Sequence, residues 1–321
     1  MFRNVDSGHP DIAPPAARPA ARPEKSATLF FLLLMVLYVG LGGTAQSLHP
    51  LAGLLWTEIF VFLLPAFLVA AGSNLRPLPF LLLARRPTFR QLLLGALSGV
   101  ALYLSAGAVM SLTMLVVPRS WVEAFDVTRL FEGSRRHQLG MALAASLLAP
   151  LAEEVSFRGY VLSSLRTRAG PGLAIGASAF LFAAMHVDPV RFPAVFLLGL
   201  YLGWLAWRAG SVWPAVVAHA VNNGIGSLVA TRQAADPISE GTFGASLFVL
   251  AVGLAALAPI ALAWVRATPF PPDPASDRVL TDPADPSIRF RLSRVPPGWL
   301  FLAAVGLLLY GAIALASHLG G

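Results

Sequence analysis

Leu147-Leu148-Ala149-Pro150-Leu151-Ala152-Glu153-Glu154-Val155-Ser156-Phe157-Arg158-Gly159 is an apolar, helix-like stretch that carries three ionisable side chains. Its neighbourhood decides whether it lies in water or in lipid. Of the 321 residues, 56% are hydrophobic and only 12% charged, and the mean hydropathy is +0.70. Soluble domains carry about 25% charged residues, so the chain reads as a membrane protein. Apolar runs of spanning length, about 20 residues each, occur near 27–48, 51–72, 91–117, 138–165, 171–187, 192–208, 212–230, 243–265 and 299–317. They predict an all-α, polytopic transmembrane helix bundle of eight or nine spans. The opening stretch then falls inside the fourth run. An ionised side chain near the bilayer centre costs roughly 2.5–3.5 kcal/mol on insertion scales, and such groups mark function by default.

The net charge of +7 does not point to nucleic acid. With a cytoplasmic N-terminus and nine alternating spans, 16 of the 23 basic residues fall in inner segments, six in outer ones, and Arg158 within the membrane. That asymmetry follows the positive-inside rule. The absence of cysteine rules out disulfides, thiolate metal ligands and a cysteine nucleophile. Residues 1–26, polar and rich in Pro, Ala and Arg, predict a disordered cytoplasmic arm. A compact bundle is expected over 27–266, with the polar chemistry concentrated in 137–230. Within it, Trp121 and Phe125 among the charges of 118–136 suit a short helix lying in the membrane interface. A Pro-rich linker, 267–297, leads to an extra C-terminal helix, 298–321.

Three pieces carry the chemistry. On a helix, residues four apart share a face, so Glu154 can pair with Arg158 while Glu153 points about 100° away. Arg158 then neutralises Glu154 and leaves Glu153 free to act; the alternative is a Glu–Arg pair that only locks helix packing. Pro150, one turn earlier, removes a backbone donor and frees a carbonyl that must face protein or water. The second piece is Phe182 through His186, with Asp188 as a candidate to orient the imidazole. Taken alone, His186 could equally mark a helix end. The third is His219 and Asn223, four apart on one face, which could otherwise be polar glue between helices. Asn222 points elsewhere and is expected to cap or pack. Glu58, in the second run, has no spaced partner and is set outside the catalytic group.

An acid, two histidines and an asparagine on three helices suit hydrolysis. Glu153 can take a proton from water, with His186 holding that water or sharing the proton. His219 and Asn223 can donate hydrogen bonds to the developing oxyanion. Alternatively, Glu153, His186 and His219 could ligate a divalent metal such as zinc. No His-Glu-x-x-His sequence occurs, and asparagine is a poor zinc ligand but a good oxyanion donor, which favours the metal-free version on chemistry alone.

Glu-Glu-x-x-x-Arg-Gly at 153–159, Phe-x-x-x-His at 182–186 and His-x-x-x-Asn at 219–223, in this order, resemble the CAAX-protease and bacteriocin-processing family. This is a family of intramembrane endopeptidases, commonly labelled metalloproteases, related to the prenyl-protein CAAX proteases. The resemblance implies a helical bundle around a polar intramembrane cavity. It makes Glu153 the general base, His186 its partner on the water, and His219 with Asn223 the oxyanion site. Glu154 and Arg158 become the supporting ion pair and Phe182 a wall of the pocket. The implied partners are the lipid bilayer and a peptide or protein substrate, in some members lipid-modified, with no nucleic acid. The preference for Arg over Lys and the Ala/Pro-rich composition suggest a bacterial host, hence the cytoplasmic membrane.

Two other classes use the same residues. A non-catalytic immunity or binding protein would keep the cavity without cutting, and a proton-coupled transporter would use Glu58 and Glu153. The latter calls for paired repeats with broken helices, and no internal repeat is evident. Topology is directly testable. A reporter fused at the N-terminus is expected to read as cytoplasmic and one fused after the ninth span as external; the reverse pattern would overturn the orientation.

Overall fold

The computed structural model describes residues 23–166, 169–235, 243–268 and 289–319. Each apolar run corresponds to a helix: α1 (Ser26–Leu48), α2 (Pro50–Gly72), α3 (Phe89–Met114), α4 (Arg135–Leu165), α5 (Pro171–Met185), α6 (Phe192–Ala209), α7 (Trp213–Ala235), α8 (Phe243–Ala267) and α9 (Pro297–Leu319). No β-strand occurs among the described residues. Six of these helices, α1 to α4, α6 and α8, are long and apolar enough to cross a membrane. The chain is therefore a multi-pass membrane protein. α5 is a shorter apolar helix, as is the 297–312 part of α9, and α7 is a continuous helix that carries the polar side chains of His219, Asn222 and Asn223.

Local signals set the helix ends. Thr88 and Gln91 form a reciprocal cap at the start of α3, Thr88 Oγ1 accepting from Gln91 N (3.3 Å) and Gln91 Oε1 from Thr88 N (2.9 Å). α6 stops on Gly210, whose φ of 60° is left-handed backbone that glycine adopts without penalty. Of the expected N-terminal arm, residues 1–22 lie outside the described residues; helical backbone already begins at Pro23, three residues before the apolar span that defines α1. Of the linker, 269–288 lie outside them; its described end runs back along α2, where Arg291 N–H donates to Gly72 O (2.7 Å). Residues 118–136 do contain a short helix, Arg119–Ala124, followed by a 3-10 turn, Val127–Phe131.

Three of the long helices contain wide, π-type turns: Tyr38–Gly42 in α1, Glu58–Leu63 in α2, and Ala144–Leu148 and Val155–Leu162 in α4. Such turns insert an extra residue and recur at functional sites. In α4 they bracket Pro150 and the Glu pair. Ala149 N–H bonds Ala144 O, five residues back. The next bond in that series would join residue 150 to Ala145 O, and proline has no N–H to make it. The carbonyl freed by Pro150 is thus that of Ala145, and Asn223 Nδ2 donates to it across the bundle at 3.0 Å.

The bundle packs α3 against α7 and α8, and α5 against α6, while α7 also lies along α4. Gly95 and Gly99, spaced as Gly-x-x-x-Gly, let α3 approach the backbone of α7 closely. A methyl group built at Gly99 would sit 2.4 Å from Ala218 O, beside His219. Backbone on both sides leaves nothing flexible to yield. Gly99→Ala is expected to destabilise by about 1–3 kcal/mol, read as a lower unfolding temperature in detergent; an unchanged temperature would show that α7 can move freely.

Candidate active site

Four helices build the site: α4 supplies Glu153, Glu154 and Arg158, α5 Phe182 and His186, α6 the carbonyl of Gly199, and α7 His219 and Asn223. Glu154 and Arg158 are both fully buried. A buried cation persists only when its donors are satisfied. Arg158 Nη1 donates to Glu154 Oε1 (2.8 Å) and Nη2 to Gly199 O (3.1 Å), and the guanidinium lies 4.3 Å from the centre of the Phe182 ring. The ion pair expected from the four-residue spacing is present.

The same carboxylate has a third partner that spacing within one helix could not reveal. Glu154 Oε1 lies 3.0 Å from His219 Nδ1. A carboxylate held by Arg158 is an acceptor, so the imidazole donates from Nδ1 and turns Nε2 toward Glu153, whose Oε2 is 3.6 Å away. That separation is too long for a direct hydrogen bond and short enough for both atoms to hold one water. His219 therefore stands between the two glutamates, oriented by one and facing the other. Glu154 supports Arg158 and also fixes the histidine.

Phe182 is fully buried, and its ring meets those of Phe157, His186 and His219 edge-on, with centroids at 5.3, 5.0 and 5.8 Å. His186 Nδ1 donates to Phe182 O (2.9 Å), leaving Nε2 as the outward nitrogen. Asp188 does not orient it. Asp188 Oδ1 instead accepts from the backbone N–H of Val190 and of Arg191 at the start of α6, both at 2.9 Å, and its other oxygen pairs with the Arg191 side chain.

Asn223 is more engaged than its assigned role requires. One amide N–H serves Ala145 O, and Oδ1 accepts from Asn222 Nδ2 (3.0 Å), leaving one N–H for an oxyanion. Glu58, with no spaced partner in its own helix, is buried on the turn of α2 that packs against the Ala149–Glu154 segment.

Among the described residues no three His, Cys, Asp or Glu side chains converge as metal ligands. Glu153, His186 and His219, the trio expected if a metal is bound, are not gathered in that way. The Nδ1 atoms of both histidines are held by protein acceptors, which leaves each Nε2 as the nitrogen that a water or a metal would meet.

Fold and cluster together define a multi-pass membrane protein with a buried acid–histidine–arginine site. Residues 135–225 match the family model described as type II CAAX prenyl endopeptidase, Rce1-like, a family of proteases. The match takes in Glu153, Glu154, Arg158, Phe182, His186, His219 and Asn223, so the motif resemblance and the match coincide; it spans less than a third of the chain and leaves α1, α2, α3, α8 and α9 outside. No curated protein and no solved structure matches the chain.

Removing one partner of a buried ion pair strands the other, at about 3–5 kcal/mol. Arg158→Leu is accordingly expected to yield little folded protein. The double change Arg158→Leu with Glu154→Leu should recover part of the loss, as measured by unfolding in detergent. A single variant as stable as the parent would show that the pair is not buried as described.

Proposed function

We propose that the protein is an intramembrane endopeptidase that hydrolyses peptide bonds of membrane-associated substrates with a water activated by Glu153. The observation that carries this is the chain Arg158–Glu154–His219–Glu153, in which each group holds the next and the last presents a carboxylate beside an imidazole nitrogen. A water held by Glu153 Oε2 and His219 Nε2 gives up a proton to Glu153 as its oxygen attacks the peptide carbonyl. His186 Nε2 steadies that water from the α5 side. The carbonyl oxygen, now an anion, is met by the remaining N–H of Asn223, beside the His219 ring. The proton on Glu153 passes to the departing amine, and Glu153 is regenerated. No acyl-enzyme forms.

The low-dielectric, water-poor interior strengthens each of these contacts. Eight or nine helices, an N-terminus in the cytoplasm and a bacterial cytoplasmic membrane complete the proposal. Prenylated peptides are the first substrates to try, because the family model matching 135–225 describes prenyl endopeptidases.

Purified protein in detergent or liposomes is expected to cleave a quenched membrane peptide. Glu153→Gln should lower kcat by about 10²–10⁴ while the variant unfolds at the parent's temperature. Unchanged turnover in that variant would sink the assignment, and an intact cellular phenotype in both Glu153→Ala and His219→Ala would favour a binding protein. Turnover is expected to persist in excess chelator, in protein without stoichiometric zinc. Zinc lost together with activity would instead make Glu153, His186 and His219 a ligand set.

A further inference from the structure

The loop joining α2 to α3 carries charge that the rest of the protein does not answer. It holds Arg76, Arg85, Arg86 and Arg90, all exposed, and the sequence has no acidic residue between Glu58 and Glu123. Among the described residues no carboxylate pairs with any of the four. The opposite end of the bundle is different. In 118–136, Arg119 lies 3.2 Å from Glu123 and Arg129 lies 3.9 Å from Asp126. Like charges set close together along one loop repel one another, and a partner of opposite charge offsets that repulsion.

The arginines stand on a fixed frame. Leu81 and Leu82 in the middle of the loop are buried, and Leu82 takes left-handed backbone with φ 58°. Three hydrogen bonds tie the loop to the turn between α6 and α7. Val212 N–H donates to Leu82 O (3.1 Å), Trp213 Nε1–H to Leu83 O (3.2 Å), and Ser211 Oγ to Arg85 O (2.8 Å). On the other side Leu81 lies against α4, where a methyl group built at Gly159 would sit 2.8 Å from Leu81 O. The cap of Thr88 and Gln91 fixes the far end. Beside the arginines on this frame are two apolar side chains, Leu78 and Phe89, 55% and 80% exposed.

The place of the loop in the fold says what covers it. The preceding helix α2 has 23 residues. At about 1.5 Å of rise per residue it is somewhat longer than a hydrocarbon core of about 30 Å, so the loop emerges where acyl chains meet headgroups. Basic heads interleaved with apolar side chains suit that boundary. We propose that the loop from Arg76 to Arg90 is a docking surface for the headgroups of anionic phospholipids. Lipid phosphates accept hydrogen bonds from the four guanidinium groups, which can donate to a phosphate in parallel pairs, while Leu78 and Phe89 enter the edge of the acyl layer. An acidic protein or a nucleic acid in water would meet the charges and leave the two apolar side chains uncovered. Lipid docking here is independent of the proteolytic function.

Because the chain has no cysteine, Phe89→Cys supplies a single thiol for a fluorophore on the loop itself. The labelled full-length protein goes into phosphatidylcholine vesicles that hold, at equal mole fraction, either brominated phosphatidylcholine or brominated phosphatidylglycerol. The brominated phosphatidylglycerol should quench more strongly, reporting a local enrichment of about fivefold, the order expected for the attraction of one basic residue to an anionic surface. The excess should vanish when Arg76, Arg85, Arg86 and Arg90 are all changed to Gln. Should that variant fail to insert, Arg85→Gln with Arg86→Gln should lower the excess without the other two. A label placed instead at Trp121→Cys, at the other end of the bundle, should show no preference. Equal quenching by the two lipids at position 89 overturns the docking surface, and so does a preference as strong at position 121. A preference that outlives the arginines overturns their role as its seat. Quenching by neither lipid puts the loop in water, which overturns lipid docking and makes an acidic protein the partner to seek.

Discussion

One carboxylate oxygen, Glu154 Oε1, holds this site together. It accepts from Arg158 at 2.8 Å and lies 3.0 Å from His219 Nδ1, so a single atom ties the fourth helix to the seventh. Arg158 in turn reaches the sixth helix through Gly199 O and the fifth through the Phe182 ring. Four helices thus converge on one buried ion pair. In lipid, where helix association gains little from the hydrophobic effect, such a polar node does work that an apolar core does in a soluble domain. Its dependence on burial also makes it intolerant, because each partner left alone is a stranded charge.

The node leaves Glu153 uncommitted by subtraction. Every other charged or imidazole group of the motif has a protein partner at hydrogen-bond distance, whereas Glu153 Oε2 has only a nitrogen at 3.6 Å. A site that spends its hydrogen bonds on fixing neighbours and leaves one carboxylate free is organised to bind a proton or a water there. The same economy appears at Asn223, where two of the amide's capacities are used on the scaffold and one N–H remains.

Much of this was legible from spacing. Each apolar run marked a helix among the described residues, and the four-residue interval between Glu154 and Arg158 marked the pair. Pro150 announced a freed carbonyl, though not which one or what would answer it. The missing parts are those that depend on how separate helices meet. No interval within one helix places His219 of α7 against Glu154 of α4, nor the Glu58–Leu63 turn of α2 against the Ala149–Glu154 segment. Asp188 was misread for the same kind of reason: an acid two residues after a histidine could turn back to it or forward to the next helix. The backbone donors of Val190 and Arg191, unpaired at the start of the next helix, drew it forward. Glu58 has no spaced partner within its own helix, and only the packing of helices shows that its turn lies against the α4 segment ending in the two glutamates.

The proline in α4 has a consequence for alignment. His219 and Asn223 are one turn apart on α7, and they meet α4 at Glu154 and at Ala145 O respectively, nine residues apart along that helix. α7 is thus latched to α4 at two separate heights. A slide of a single residue, about 1.5 Å of rise and 100° of rotation, would release both latches at once, so no intermediate register keeps one while losing the other. The gap that Pro150 leaves in the backbone ladder works as a keyway, and Asn223 is the key that fixes how far along α4 His219 stands.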